Sequence, residues 1–143
     1  MNHKELKEEA IKQLKRWHCY PICGEISTYI SEIPDAIGWS GNGSILFECK
    51  ASRKDFLKDK KKTFRIVPES GVGDFRFYIT NPGIIKDEKE LPEGWGCYEV
   101  ENRKIKHKFG IKYENAVPIP LKGNKDKEII IIRSWIRRFI KKK

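Results

Sequence analysis

Residues 33–50 read IPDAIGWSGNGSILFECK, and the alternation within this stretch sets the architecture. Ile33 to Trp39 is a strand-like run, Ser40-Gly41-Asn42-Gly43 is a hairpin signal, and Ser44 to Lys50 is the next run. Side chains two apart on a strand share a face, so Glu48 and Lys50 project together. Ile45, Phe47 and Cys49 take the opposite face and suit a core. Asp35 is expected mid-strand, among Ile33, Ile37 and Trp39. Asp35 and Glu48 lie nearly symmetrically about the turn, so a hairpin through Asn42-Gly43 brings Asp35 opposite the end of the Glu48 strand.

Upstream, Leu6, Ala10, Leu14 and Trp17 recur at helical spacing and predict a helix over 3–17, stopped by Tyr20-Pro21. The period then changes to two, with Ile26, Thr28 and Ile30 alternating against Glu25, Ser27 and Tyr29. The three successive runs predict an antiparallel meander. Downstream, Ser52 has the look of an N-cap, with Asp55 at the capping-box offset. The helix it opens runs to Phe64 or Ile66, with Phe56, Leu57 and Phe64 on its apolar side. A strand from Phe75 to Thr80 follows, and its position after a helix favours parallel pairing back into the sheet. Residues 84–96 read as a short helix or loop, Cys97 to Val100 as a short strand, and 103–126 as a basic stretch without clear pattern. Lys127 to Lys143 is an amphipathic basic helix whose apolar face is expected to pack on the sheet. The expected fold is α/β, one domain over 1–143 with a central mixed sheet flanked by helices. Its core would span about 3–80, and 81–143 would be an extension.

The 143 residues carry a net charge of +10, with a pI near 9.5. Such a surface favours polyanions, nucleic acid first and acidic membrane second, against the plainer reading of a solvated basic surface. Cys19, Cys23, Cys49 and Cys97 form no CxxC pair. Cys19 and Cys23, with His18 beside them, fall short of a four-ligand zinc pattern, so free thiols in a reducing cytoplasm are expected. No apolar h-region opens the chain and no run approaches a membrane span, which again points to the cytoplasm.

The chemistry concentrates at Asp35, Glu48 and Lys50. Mg²⁺ takes hard oxygen ligands and keeps several waters. Two carboxylates and a backbone carbonyl, here that of Cys49, leave positions open for phosphate oxygens and water. A lysine alongside can orient the attacking water and stabilise negative charge in the transition state. The plainer alternative is a salt-bridged strand end, in which Lys50 pairs with Glu48 or Asp35.

At Pro34-Asp35 and Glu48-Cys49-Lys50 the sequence resembles the PD-(D/E)xK nuclease superfamily, and the order helix, three-strand meander, helix, strand matches that family's core over roughly residues 3–80. The stretch from Glu48 to Lys60 and the later Leu91-Pro92-Glu93-Gly94-Trp95-Gly96 are similar to a bacterial and phage branch related to DNA-repair nucleases. The resemblance implies a restriction-endonuclease-like core, Asp35 and Glu48 as metal ligands, and Lys50 as the catalytic lysine. It implies Mg²⁺ as cofactor, with Mn²⁺ able to substitute. An acidic residue ahead of the motif often completes such sites: Glu25 is the first choice and Glu32, on the opposite strand face, the second. Lys60 and Tyr78 are candidates for supporting the site. Asp55 reads as a cap and Asp59 as a surface partner for Lys62 or Arg65. His3, His18 and His107 show no partner pattern. Arg53, Lys58, Lys61, Lys62 and Arg65 are the candidates for holding a phosphate backbone.

The expected function is metal-dependent hydrolysis of DNA phosphodiester bonds, in repair, recombination or phage DNA processing. Two rivals stand beside it. One is a DNA-binding module of the same fold that does not cut. The other is a basic protein-interaction domain with an acidic protein partner. A homodimer stays open, as do the strandedness of the substrate and its base sequence.

Overall fold

The computed structural model describes residues 1–25, 28, 30–114 and 118–141. Helix α1 (His3–Arg16) begins where a capping box forms: the Asn2 side chain accepts from the Glu5 amide, and the Glu5 carboxylate accepts from the Asn2 amide. Its Leu6, Ala10 and Leu14 turn inward, and it ends at Trp17 and His18, the latter at φ 60°.

Strand β1 is Ile22–Gly24, ahead of the 26–30 segment where alternation predicted it. Ile26, Ser27 and Tyr29 lie outside the described residues. Thr28 and Ile30 belong to no strand, and the Ile30 amide donates to Thr28 Oγ1 in a local turn. Ile22–Gly24 pairs because Ile22 and Cys23 can pack against the small residues of β2 (Ala36–Ser40), with Ile22 opposite Gly38 and Gly24 opposite Ala36. Gly38 is needed there: a Cβ on it would stand 2.8 Å from Cys19 Cβ.

A two-residue loop, Gly41-Asn42, joins β2 to β3 (Gly43–Lys50), with Ser40 opposite Gly43 and Ala36 opposite Phe47. Asp35 therefore sits just before β2, not within it. The segment predicted as one helix is two, α2 (Arg53–Asp59) and α3 (Thr63–Ile66). The Ser52 side chain caps α2 by accepting from the Asp55 amide. The chain leaves helical conformation at Lys62 (ψ 143°), which lets Phe64 and Arg65 turn inward while Leu57 faces solvent.

Strand β4 (Phe75–Thr80) is buried along its whole length and pairs parallel with β3, as its place after a helix predicted. β5 (Trp95–Glu101) lies parallel to β4, and β6 (Lys104–Gly110) antiparallel to β5. Asn102 and Arg103, both at positive φ, form the tight turn between them. The sheet is thus mixed and six-stranded, in the order β1-β2-β3-β4-β5-β6, so the second half of the chain extends the sheet of the first.

The strand faces divide as the alternation of β3 dictates. Ile45, Phe47, Phe75, Phe77 and Ile79 pack under α1, where Trp17 stacks on Phe47 at 5.7 Å. Leu46, Phe56, Tyr78, Trp95 and Cys97 form the other layer with α2. Each large side chain buried this way contributes about 1.5–3 kcal/mol. Helix α4 (Lys125–Lys141) touches this second layer through Ile131. Its Ile129, Ile136, Phe139 and Ile140 are exposed, contrary to the expectation that its broad apolar face packs on the sheet. The helix is instead docked by a polar tie. Buried Glu128 accepts from Ser44 Oγ, the Gly73 amide and Trp39 Nε1. Among the described residues, no helix is long and apolar enough to cross a membrane. The four cysteines are free and buried, and burial pushes the thiols of Cys19 and Cys23 up to about 11 and about 12.

Candidate active site

Glu48 and Lys50 project from the α2-side face of β3, at the strand's C-terminal end. Extending the β2–β3 register by one pair from Ala36 and Phe47 sets Asp35 against Glu48, as the turn symmetry required. Asp35 Oδ2 accepts from the Cys49 amide at 2.8 Å, so the carboxylate is fixed across the hairpin. Asp35, Glu48, Cys49 and Lys50 line one cavity of about 260 Å³, together with Lys58 and Lys62.

Sequence reasoning did not foresee what surrounds these residues. Arg65, predicted as a phosphate contact, is buried and forms the hub of an ionic cluster. Its Nη1 lies 2.7 Å from Glu32, its Nε 2.8 Å from Asp59 and its Nη2 3.1 Å from Glu48 Oε1. Its guanidinium also lies over the rings of Phe64 and Trp95. A guanidinium can be buried only among such partners, and their negative charge holds its proton firmly against the opposing effect of burial. Asp59 pairs with both Lys62 and Arg65, the expected partners, but it is buried and not at the surface. Tyr78 donates its hydroxyl to Asp59 Oδ2 at 2.6 Å. Lys50 and Lys62 lie 3.4 and 3.3 Å from Asp59 Oδ1. Burial alone would raise the Asp59 carboxyl, but Arg65, Lys50 and the Tyr78 hydroxyl outweigh it and hold it down to about 2.

Glu48 goes the other way. Burial, reinforced by Asp35, Asp59 and Glu32, pushes its carboxyl well above the usual range, with Arg65 opposing. Its Oε1 has no hydrogen-bond partner, because the contact with Arg65 Nη2 lacks hydrogen-bonding geometry. Among the described residues, Glu32, Asp35, Glu48 and Asp59 thus face two largely buried cations, Arg65 and Lys50.

The remaining expectations divide. Glu25, exposed after β1, comes within 4.8 Å of Asp35 in donor-atom distance, and His3 joins them. His3 Nε2 lies 2.9 Å from Asp35 Oδ1. No spacing in the sequence links His3 to Asp35; the start of α1 arrives there only through the packing of α1 on the sheet. Glu32 accepts from Arg65 and from the Val72 amide, so it shapes the cluster from behind. Lys60 lies over the Phe56 ring at 5.4 Å and, among the described residues, is bonded to none of the carboxylates. Arg53 pairs with Glu90 and donates to the Ile84 carbonyl, pinning the 84–90 segment. Lys58, Lys61 and Lys62 remain exposed at or near the cavity.

No family model matches the chain, and no curated protein matches it significantly. Among solved structures, a protein of unknown function from Silicibacter pomeroyi is similar to it, with a TM-score of 0.62 and 15% identity. The match covers 99% of this chain and 89% of that one. At that identity the likeness is one of fold: a mixed α/β arrangement with a six-stranded sheet flanked by helices.

Proposed function

We propose that this protein is a metal-dependent nuclease of the PD-(D/E)xK type, with a restriction-endonuclease-like core, that hydrolyses DNA phosphodiester bonds. The observation that carries this is the convergence of Asp35, Glu48 and Lys50 on one cavity, with a buried Glu48 oxygen left without a hydrogen bond. The donor set fits a hard divalent cation. Carboxylates outnumber buried cations in the cluster, and Asp35 and Glu48 would hold the ion, with the Cys49 carbonyl and Glu25 beside them. Bound there, Mg²⁺ would lower the pKa of water and screen phosphate charge.

The chain's own groups supply the rest. Lys50, held at the cavity wall by Asp59, would orient the attacking water and stabilise the charge that develops on the phosphate. Asp59 fixes that ammonium through one oxygen, while Tyr78 and Arg65 fix Asp59 through the other. Lys58, Lys61 and Lys62 would take the flanking phosphates, and the net charge of +10 would draw the polyanion in. DNA repair, recombination or phage DNA processing is the setting this reading suggests.

A second reading has its own observation. Arg65 on Glu48 and Asp59 on Lys50 compensate the site's charges internally, as would suit a module that binds DNA without cutting it. The deciding experiment incubates wild type and Lys50→Ala with linear, circular, single-stranded and branched DNAs in Mg²⁺, Mn²⁺ or EDTA. Metal-dependent cleavage by wild type alone supports the nuclease. Salt-sensitive binding by both without cleavage supports the module. Absence of both overturns each reading and leaves an acidic protein as the partner to seek.

A further inference from the structure

His3 belongs to no motif, yet among the described residues it is the candidate ligand at the acidic site that offers nitrogen. We propose that His3, with Glu25 and Asp35, ligates the divalent cation and makes the site prefer a first-row transition ion, Mn²⁺ as the ion tested, over Mg²⁺. The proposal rests on the metal-dependent reading above and names the residue that sets its ion.

Three observations carry it. The donor atoms of His3, Glu25 and Asp35 lie within 4.8 Å of one another. Donors on one ion at about 2.1 Å each stand roughly 3.0 Å apart when adjacent and roughly 4.2 Å apart when opposite, so side-chain rotations of an ångström or two bring all three to bonding distance. Glu48, more than nine-tenths buried, lines the same cavity as His3 and Asp35, and its Oε1, 3.1 Å from Arg65 Nη2, lacks a hydrogen bond. Finally, His3 is held at the cavity mouth. The capping box fixes the turn that contains it, and Asn81 Nδ2 donates to the carbonyls of both Met1 and Ala51, tying that turn to the residue after Lys50.

Chemistry then sets the preference. Mg²⁺ favours oxygen ligands and gains little from imidazole, whereas affinity for nitrogen rises along the first-row transition ions from Mn²⁺. Mn²⁺ also accepts carboxylates, so it suits a mixed set of one imidazole and two or three carboxylates.

The test measures binding, not turnover, on the full chain. Mn²⁺ binding is read from the loss of its free-ion electron spin resonance signal, and Mg²⁺ binding from displacement of Mn²⁺. The proteins are wild type, His3→Ala, His3→Asn, Glu25→Gln and Asp35→Asn, each checked for folding by circular dichroism. Wild type is expected to bind Mn²⁺ at least about tenfold tighter than Mg²⁺. Both His3 variants should lose about tenfold in Mn²⁺ affinity and much less in Mg²⁺ affinity. Glu25→Gln and Asp35→Asn should weaken both ions. If the His3 variants weaken both ions equally, His3 only orients Asp35 and the proposal fails while the metal site stands. If they change neither ion, or Glu25→Gln changes neither, that residue is not a ligand. If wild type binds neither ion, the metal-dependent reading itself falls.

Discussion

Replacing Arg65 with methionine would strand three carboxylates around a side chain of similar length. In the native protein Arg65 touches Glu32, Glu48 and Asp59 at 2.7–3.1 Å with its own side chain 1% exposed. Removing one partner from a buried ionic group leaves uncompensated charge, at a cost of about 3–5 kcal/mol. That is a large part of the roughly 5–15 kcal/mol stability of a single domain, and it corresponds to a fall in Tm of about 10–15 °C. The penalty should depend on pH with a definite sign. Glu48 already has a carboxyl raised by burial, and losing Arg65 removes a large influence that lowers it. A group raised in the folded state stabilises below its unfolded pKa and loses that contribution as pH rises through the folded value. Arg65→Met should therefore lose more stability than wild type between pH 5 and pH 8. Adding Glu48→Gln should recover about 1–3 kcal/mol, since one stranded charge becomes neutral. Urea denaturation of the four proteins of this cycle at both pH values measures all of it. A single-variant loss under about 1 kcal/mol, or no recovery in the double variant, would refute the view of Arg65 as the charge hub.

Further outcomes follow from the same geometry. Tyr78→Phe removes the 2.6 Å bond to Asp59 and should cost about 1.5–3 kcal/mol in the same denaturation assay. Asp59, held down to about 2, contributes stability that is present above pH 4 and lost as pH falls toward 2, so Asp59→Asn should flatten an acid-denaturation curve in that window. Glu128→Ala leaves the Ser44, Gly73 and Trp39 donors without their acceptor and should release α4, seen as faster amide exchange across 125–141 and a loss of about 2–4 kcal/mol. Ser52→Ala should cost about 1 kcal/mol through the lost cap of α2.

Much of this was legible because alternation is a local property. The hairpin of β2 and β3, the side of β3 that carries Glu48 and Lys50, the Ser52 cap and the parallel β4 all follow from residues close together in the chain. Arg65 was misread because it stands in a basic run, where a charged residue reads as exposed; what buries it are Glu32 and Glu48, which packing alone brings to it. Asp59 found its expected partners, Lys62 and Arg65, but its burial was missed for the same reason. His3 carries no signal at all, since its partner lies 32 residues away. β6 went unread because Lys104, Lys106 and Lys108 alternate with residues only half-buried on an edge strand. Ile22–Gly24 went unread because three residues are too few to show alternation, whereas the small residues of β2 decide the pairing.

The central claim is that Glu48 serves a metal that cleaves DNA, and Glu48→Gln tests it most directly. Burial already disfavours the ionised carboxylate, so the neutral, equal-sized amide should fold normally. Cleavage and DNA affinity would be measured on the same preparation, with the substrate that wild type cuts. The account predicts that cleavage falls at least about a hundredfold, while affinity in EDTA stays within a few-fold of wild type. Undiminished cleavage by Glu48→Gln would contradict it.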